Sequence, residues 1–384
     1  MPPSPGPQAG PATRRAVLVT GLSLRDFRSY ASVDVPVGAT LTVVTGGNGA
    51  GKSNLLEALY FGCTGRSFRT SGAVELVRFG APVCRVEVRA RDVTGEHCLA
   101  VGLQPGVSRR VTLDGAPVDR IATLAERPLV AVFAPDRLEL VSGRPALRRA
   151  HVDQLVAGLW PARAMTRVAY AGALAQRNAL LGRVRTGMAG RASLAAWDAE
   201  LARHAIALRD TRAAAVATVA TRTTELGREI GLEGGLELRY QPRSRAADAA
   251  ALAAELSERI DGDLERGFTG HGPHRDELGL RLAGRELRVY GSQGQRRLAL
   301  LALLLAERAA IAETRDRPPL MLLDDVMSEL DADRRARLVA LLRVTGGQSV
   351  IATTDLAHVP GGDGPNVLRL AADAGAVLAE MAAA

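Results

Sequence analysis

Apolar and polar positions change period several times along this chain, and the changes divide it. Residues 17–25 alternate in the manner of a strand. Leu41-Thr42-Val43-Val44 is a short β-branched run that ends at a glycine-rich loop, and Ser53 to Phe61 then places Leu55, Leu56 and Leu59 on one side of a helix. From 83 to 113 the period returns to two. Val86 and Val88 alternate with Arg85, Glu87 and Arg89, and Val111 and Leu113 follow a turn at Gly106, a pattern that predicts an antiparallel meander. Leu129 to Phe133 reads as a buried strand stopped by Ala134-Pro135-Asp136.

Residues 145–231 are rich in Ala, Leu and Arg, which predicts helices, with Pro161 starting one and Gly182 to Gly190 breaking the run. The 38 residues from 193 to 230 form a long helical candidate, roughly 57 Å if unbroken at ~1.5 Å each. The β/α pattern resumes at Gly267. Leu278, Leu280 and Leu282 followed by Leu287-Arg288-Val289-Tyr290 read as a hairpin, Ser292 to Glu313 as a helix, Leu320 to Leu323 as a buried strand, Asp331 to Leu342 as a helix and Ser349 to Ala352 as a strand. The expected organisation is a tail at 1–15, an α/β head from 16–136 and 267–372, a mainly helical inserted lobe at 137–266 and a tail at 373–384.

Composition narrows the class. A 47% hydrophobic and 23% charged content fits a globular chain without membrane spans. Aromatics at 3% are too scarce for rows of base-stacking side chains. Cys63, Cys84 and Cys98 are odd in number and lack a C-x-x-C, so they read as small buried residues of a reducing compartment, and cytoplasm is the expected location. The net charge of +8 is concentrated: residues 144–191 hold nine arginines, among them Arg144, Arg148 and Arg149, against Asp153 alone. That imbalance predicts a surface facing a polyanion, nucleic acid first, over a merely solvated helix face.

One basic residue stands apart. Lys52 is the only lysine, and it lies in Gly46-Gly47-Asn48-Gly49-Ala50-Gly51-Lys52-Ser53, followed by Asn54. This is a full G-x-x-x-x-G-K-[ST] match between a strand and a helix, the Walker A context in which a compact ammonium reaches β- and γ-phosphates inside a ring of backbone N–H groups. A nucleoside triphosphate is the expected ligand. Leu320 to Leu323 ends in Asp324-Asp325, and paired acids at the end of a buried strand need a cation. Mg²⁺ held by Ser53 and Asp324 is the expected one, with Lys52 and Asp325 as catalytic residues and Asp325 orienting or deprotonating the attacking water. Before this element comes Ser292-Gln293-Gly294-Gln295 at a helix start, an arrangement suited to an anion.

These motifs carry a resemblance. Ser292 to Gln295, with Gln295 29 positions before Asp324 and a distant Walker A upstream, resembles the L-S-G-G-Q signature of ABC-type ATPases, and Ser328-Glu329-Leu330-Asp331 resembles their D-loop. The resemblance implies that the signature turn touches the γ-phosphate held by a second copy, making ATP the glue of a homodimer. The whole motif order resembles the RecF family, relatives of the SMC heads. Leu24 to Tyr30, Phe133 to Asp153, His271 to Glu277 and Leu323 to Asp331 carry the likeness, which runs from about 17 to 372. It implies an ABC/SMC-type ATPase head with an antiparallel β subdomain and a helical lobe. It also implies slow, DNA-stimulated hydrolysis, binding to gapped DNA or ss/ds junctions, help in loading recombinase, and RecR- and RecO-like partners.

Some positions depart from the general ABC pattern. Asp325 replaces the usual catalytic glutamate, Asp355 stands where transporters carry a switch histidine with His358 three residues later, and no Q-loop glutamine is evident. Two other readings stay open: a transporter ATPase subunit, and an ATP-gated DNA-binding module without significant turnover. His271 and His274 lack further ligands nearby in sequence and read as a structural turn or a sensing interface.

Overall fold

The computed structural model describes residues 17–70, 72–119, 121, 124 and 127–380; the expected tail at 1–15 lies outside them. The elements in chain order are β1 (Leu18–Phe27), β2 (Tyr30–Pro36), β3 (Leu41–Thr45), α1 (Lys52–Thr64), β4 (Cys84–Asp92), β5 (Gly95–Leu103), β6 (Arg110–Leu113), β7 (Ala116–Pro117) and β8 (Val130–Phe133). Next are α2 (Glu139–Ser142), α3 (Pro145–Leu159), α4 (Met165–Arg185), α5 (Leu194–Glu229), β9 (Leu236–Gln241), α6 (Ala249–Glu258), α7 (Ile260–Arg266), β10 (Glu277–Leu282), β11 (Arg285–Glu286), α8 (Leu287–Tyr290) and α9 (Gln293–Arg315). The chain closes with β12 (Leu320–Asp324), α10 (Ala332–Val344), β13 (Ser349–Thr353), β14 (Val367–Asp373) and β15 (Ala376–Glu380). Two compact units result, one running to Ala134 and resuming at Ile311, the other spanning Pro135–Ala310.

The first unit holds two six-stranded sheets, ordered β15-β14-β3-β13-β12-β8 and β2-β1-β4-β5-β6-β7. In the former, β14, β3, β13, β12 and β8 are parallel, and β12 and β13 are buried at every position, as a sheet covered on both faces requires. The second sheet is antiparallel. Leu22, Leu24, Val86 and Val88 from this sheet join Leu55, Leu56 and Leu59 of α1 and Val44, Leu322 and Val350 of the parallel sheet in one core. Helix α1 is therefore apolar around most of its girth. At Gly62 a side chain would collide with Val88, so glycine lets the helix approach the sheet closely.

In the second unit α5 is one unbroken helix of 36 residues. Ala202, Ala205 and Leu208 of α5 pack with Tyr170 and Ala173 of α4, and Arg177 is fully buried between Asp198 and Asp263 at 2.6 and 2.7 Å. Strands β11, β10 and β9 form a small antiparallel sheet.

Three expectations change. Leu287 to Tyr290 is a helical turn, not a hairpin strand: β11 pairs for only two residues before the Gly291 N–H closes onto the Leu287 carbonyl at 3.0 Å. The return to the first unit falls at 311 rather than 267, because β10 pairs with β9 of the helical region along its whole length. The expected C-terminal tail contains β15, which pairs with β14.

Candidate nucleotide site

The glycine-rich loop leaves β3, a strand buried from Leu41 to Val44, and enters α1 directly. Gly46, Gly49 and Gly51 have φ of 151°, 81° and 106°, values open to glycine and strained for other residues. At Gly51 a side chain would also meet the Tyr30 hydroxyl at 2.6 Å; that hydroxyl donates to the Gly51 carbonyl at 2.9 Å and braces the loop. Helix α1 has no side-chain cap and no acid in its first turn. Its leading N–H groups and dipole are thus open to an anion.

Lys52 folds back over this loop. Its Nζ donates to the Gly46 and Gly47 carbonyls at 2.8 Å each, and the residue is 8% exposed. Ala50 N–H donates to the Gly47 carbonyl, keeping the loop curled. The ammonium is thereby stored where a polyphosphate would lie.

Ser53 connects loop and strand end. Its hydroxyl donates to Asp324 Oδ1 at 2.9 Å. Burial pushes the Asp324 carboxyl above its ordinary pKa, a shift opposed by the Ser53 hydrogen bond and by the charges of Arg69 and Lys52 and reinforced by Asp325. A hydroxyl and a desolvated carboxylate in contact form an oxygen donor pair that fits a hard divalent cation. Asp325, next along, has a left-handed φ of 52°. Its N–H donates to the Ala352 carbonyl, while its Oδ1 is buried without a partner among the described residues. A strained residue with an unsatisfied carboxylate oxygen suits a group awaiting a donor such as water.

The flanking loop is ordered around it. Ser328 Oγ donates to the Asp325 carbonyl, Glu329 lies in the Met327–Glu329 turn, and Asp331 caps α10 by accepting from Arg334 N–H at 2.8 Å. Asp355 caps its own turn through Ala357 N–H.

In the second unit, the Ser292 turn forms a reciprocal capping box. Ser292 N–H donates to Gln295 Oε1 at 2.9 Å and Gln295 N–H donates to Ser292 Oγ at 3.2 Å. Ser292, Gln293 and Gly294 are exposed at the start of α9.

The arginine cluster splits. Arg148 is 2% exposed and grips Glu277 with both Nε and Nη2, at 2.6 and 2.8 Å, while Nη1 reaches the Gly143 carbonyl. Its guanidinium is committed inside its own unit and offers no charge to DNA, which corrects its expected place in the interface. Arg177 is buried likewise. Arg149 is half-buried and donates to the Asp276 carbonyl, and Arg144 is exposed. His271 pairs with Glu255 and His274 with Tyr170, at 2.6 Å each.

Sequence reasoning passed over Tyr30, Glu57 and Arg69. Glu57 sits in α1 amid buried Leu55, Leu56, Ala58 and Leu59. A lone carboxylate in such a run was the signal available.

Comparison with known proteins gives the family. The sequence matches the RecF/RecN/SMC N terminal domain family over residues 18–363. It is 37% identical to the DNA replication and repair protein RecF of Anaeromyxobacter sp. (strain Fw109-5), over 90% of this chain and 94% of that protein. It is also 37% identical to the RecF of Myxococcus xanthus, over 93% and 96%. The solved structure of the recombination mediator protein RecF with ATP, in the RecFOR pathway, superposes with a TM-score of 0.85 at 26% identity, covering 96% of this chain and 99% of that one. An Smc head domain from Pyrococcus furiosus shares the fold at a TM-score of 0.56 and 16% identity. With its glycine cradle, its Ser53–Asp324 contact and this likeness along nearly its whole length, the chain belongs to the RecF/RecN/SMC N-terminal domain family and is similar throughout to RecF.

Proposed function

We propose that this chain is an ATP-dependent DNA-binding protein of recombinational repair. The observation that carries the reading is the cradle: Lys52 Nζ stored on the Gly46 and Gly47 carbonyls beside the uncapped start of α1, with Ser53 on Asp324. A triphosphate would draw the ammonium off those carbonyls and take up the open N–H groups at the start of α1. Ser53 and Asp324 would hold Mg²⁺, which when bound neutralises phosphate charge. Asp325, with its unpartnered oxygen, orients and accepts a proton from the attacking water; its short side chain suits slow turnover.

ATP then joins two copies. The exposed Ser292 turn of one copy closes on the γ-phosphate held by the other, exchanging its internal capping box for phosphate oxygens, while Ser328, Glu329 and Asp331 line the seam. The dimer binds DNA at gaps or ss/ds junctions and works with RecR- and RecO-like partners. The curated relatives, named as DNA replication and repair proteins, support repair over transport. Among the described residues no helix is long and apolar enough to cross a membrane.

The test is DNA binding with ATP, with ADP and without nucleotide, on single-stranded, duplex and gapped substrates. ATP-dependent preference for the gapped substrate is expected. Equal binding in all three nucleotide states refutes the reading.

A further inference from the structure

The loop between α7 and β10 holds one large apolar side chain that folding does not bury. Gly267 closes α7 with a φ of 77°, its N–H donating to the Asp263 carbonyl at 2.8 Å. Thr269 is buried: its N–H and its hydroxyl both donate to Asn178 Oδ1 of α4, at 2.9 and 2.7 Å, and Arg177 Nη1 donates to its Oγ1 at 2.7 Å. Gly270 N–H donates to Asp263 Oδ1 at 2.9 Å, and Oδ2 of the same carboxylate accepts from Arg177. Phe268 stands between these anchored residues and is 40% exposed. A phenylalanine ordinarily goes into a core. Here a buried ion-pair network fixes the backbone on both sides of the ring and keeps it at the surface.

The surroundings of that ring are cationic. The exposed Arg275 guanidinium lies over it, 5.5 Å from the centroid. Arg185, in the last turn of α4, sits where a side chain at Gly267 would go, so arginine meets the loop at both ends. Arg149 of α3 reaches the residue after Arg275, its Nη1 donating to the Asp276 carbonyl at 3.0 Å. Burial first, and then the charge of Arg212, hold Arg149 below its ordinary pKa; Arg275 adds to the effect, while Glu277 and Asp276 oppose it. The carboxylates that could quench this charge are engaged elsewhere. Glu277 is gripped by Arg148, Asp153 by Arg212 and Arg167, and Asp276 by the Tyr240 hydroxyl and the Arg243 N–H. Two guanidiniums near enough to act on each other repel until an anion joins them.

We propose that Phe268 and Arg275, with Arg149 beside them, are the contact of this unit with a single-strand/double-strand DNA junction: the ring stacks on the last base pair, and the guanidiniums take the backbone phosphates next to it. This rests on the DNA reading above and names the side chains that recognise the junction. One aromatic suffices there. A single strand followed along its length needs several stacking side chains, and aromatics make up only 3% of this chain. A continuous duplex offers phosphates but no open base face, which leaves the ring idle. A junction offers both, a flat apolar face bordered by negative charge.

Fluorescence anisotropy of the full chain with ATP and Mg²⁺ tests this, on a junction substrate and on a continuous duplex of equal length, each over a salt series. The chains compared are the wild type, Phe268→Ala, Phe268→Trp and Arg275→Gln. Phe268→Ala is expected to weaken junction binding about tenfold, the loss of one stacked base, and to leave duplex binding and the salt slope as they are. Phe268→Trp is expected to keep the junction preference. Arg275→Gln is expected to weaken binding to both substrates and to lower the slope of log K against log salt by about one. A ring that serves the fold alone, or that faces an acidic protein partner, would leave both DNA affinities where they were. Wild-type junction affinity in Phe268→Ala, or an equal loss on junction and duplex, overturns the proposal. Should Phe268→Ala fail to fold, Phe268→Leu, which keeps an apolar contact without a π face, decides by the same comparison. A wild type that binds neither substrate would strike the DNA reading itself, and the proposal with it.

Discussion

The hydroxyl of Ser53 donates to Asp324 Oδ1 at 2.9 Å across 271 positions of sequence. That contact joins the start of α1 to the end of β12, and it exists because β3 and β12 both flank β13 in the parallel sheet. The sheet brings the C-terminal ends of its five parallel strands to one edge, where an open α/β fold gathers its ligands.

Lys52→Arg is expected to fold, since arginine can also donate to the Gly46 and Gly47 carbonyls, yet to lose ATP affinity by about tenfold or more, because a planar guanidinium cannot enter the phosphate ring as a compact ammonium does. Calorimetric titration with ATP checks this. Wild-type affinity in the arginine variant would mean that the solitary lysine is incidental.

Asp325→Asn should fold as the wild type does, because asparagine tolerates the left-handed φ of 52°. If Asp325 takes the proton of the attacking water, phosphate release falls by about 10²–10⁴-fold and the ATP-bound form accumulates. Unchanged phosphate release removes Asp325 from that role.

His274 predicts a pH dependence of stability. Its Nε2–H donates to the Thr269 carbonyl, so Nδ1 accepts from the Tyr170 hydroxyl, and the ring is neutral in this arrangement. Burial, the largest cause, holds its pKa below the ordinary 6.5. Between the folded and unfolded values the unfolded chain binds more protons, so the stability this ring contributes is present above the unfolded pKa and is lost as pH falls through the folded one. Thermal unfolding followed by circular dichroism should show Tm falling below about pH 6.5, and His274→Gln should flatten the fall. A wild-type curve that is level there, or a variant that parallels it, contradicts the assignment.

The arginines divide by burial. Arg148→Ala leaves Glu277 without its bidentate partner and is expected to cost about 2–4 kcal/mol of stability. Arg144→Ala, at an exposed position, is expected to leave Tm unchanged and to lower the slope of log K against log salt for DNA by about one for the phosphate contact it removes. An unchanged slope in Arg144→Ala takes that residue out of the interface.

What was legible in the sequence was local. β3, the glycine loop and α1 follow one another within 24 residues, from Leu41 to Thr64, and β12 announces itself as an apolar run ending in two acids. The inward turn of Arg148 was less visible, because an arginine stands where the spacing of Val152, Leu155 and Leu159 asks for an apolar residue, and only its partner Glu277, far along the chain, reveals the pairing. The extent of the helical unit was hidden for the same reason: β9 and β10 are separated by α6 and α7, and their pairing is set by packing rather than by any local pattern. Glu57 is legible only as a lone carboxylate in an apolar run, and its partners Arg28 and Arg69 lie outside α1.

The central claim is that ATP closes two copies through the Ser292 turn. Light scattering of the wild type and of Ser292→Arg, each with Mg²⁺ and ATP and without nucleotide, tests it most directly. The account predicts that ATP doubles the wild-type mass and leaves Ser292→Arg monomeric with its ATP affinity intact. A wild-type mass indifferent to ATP, or a Ser292→Arg chain that doubles as the wild type does, would contradict it.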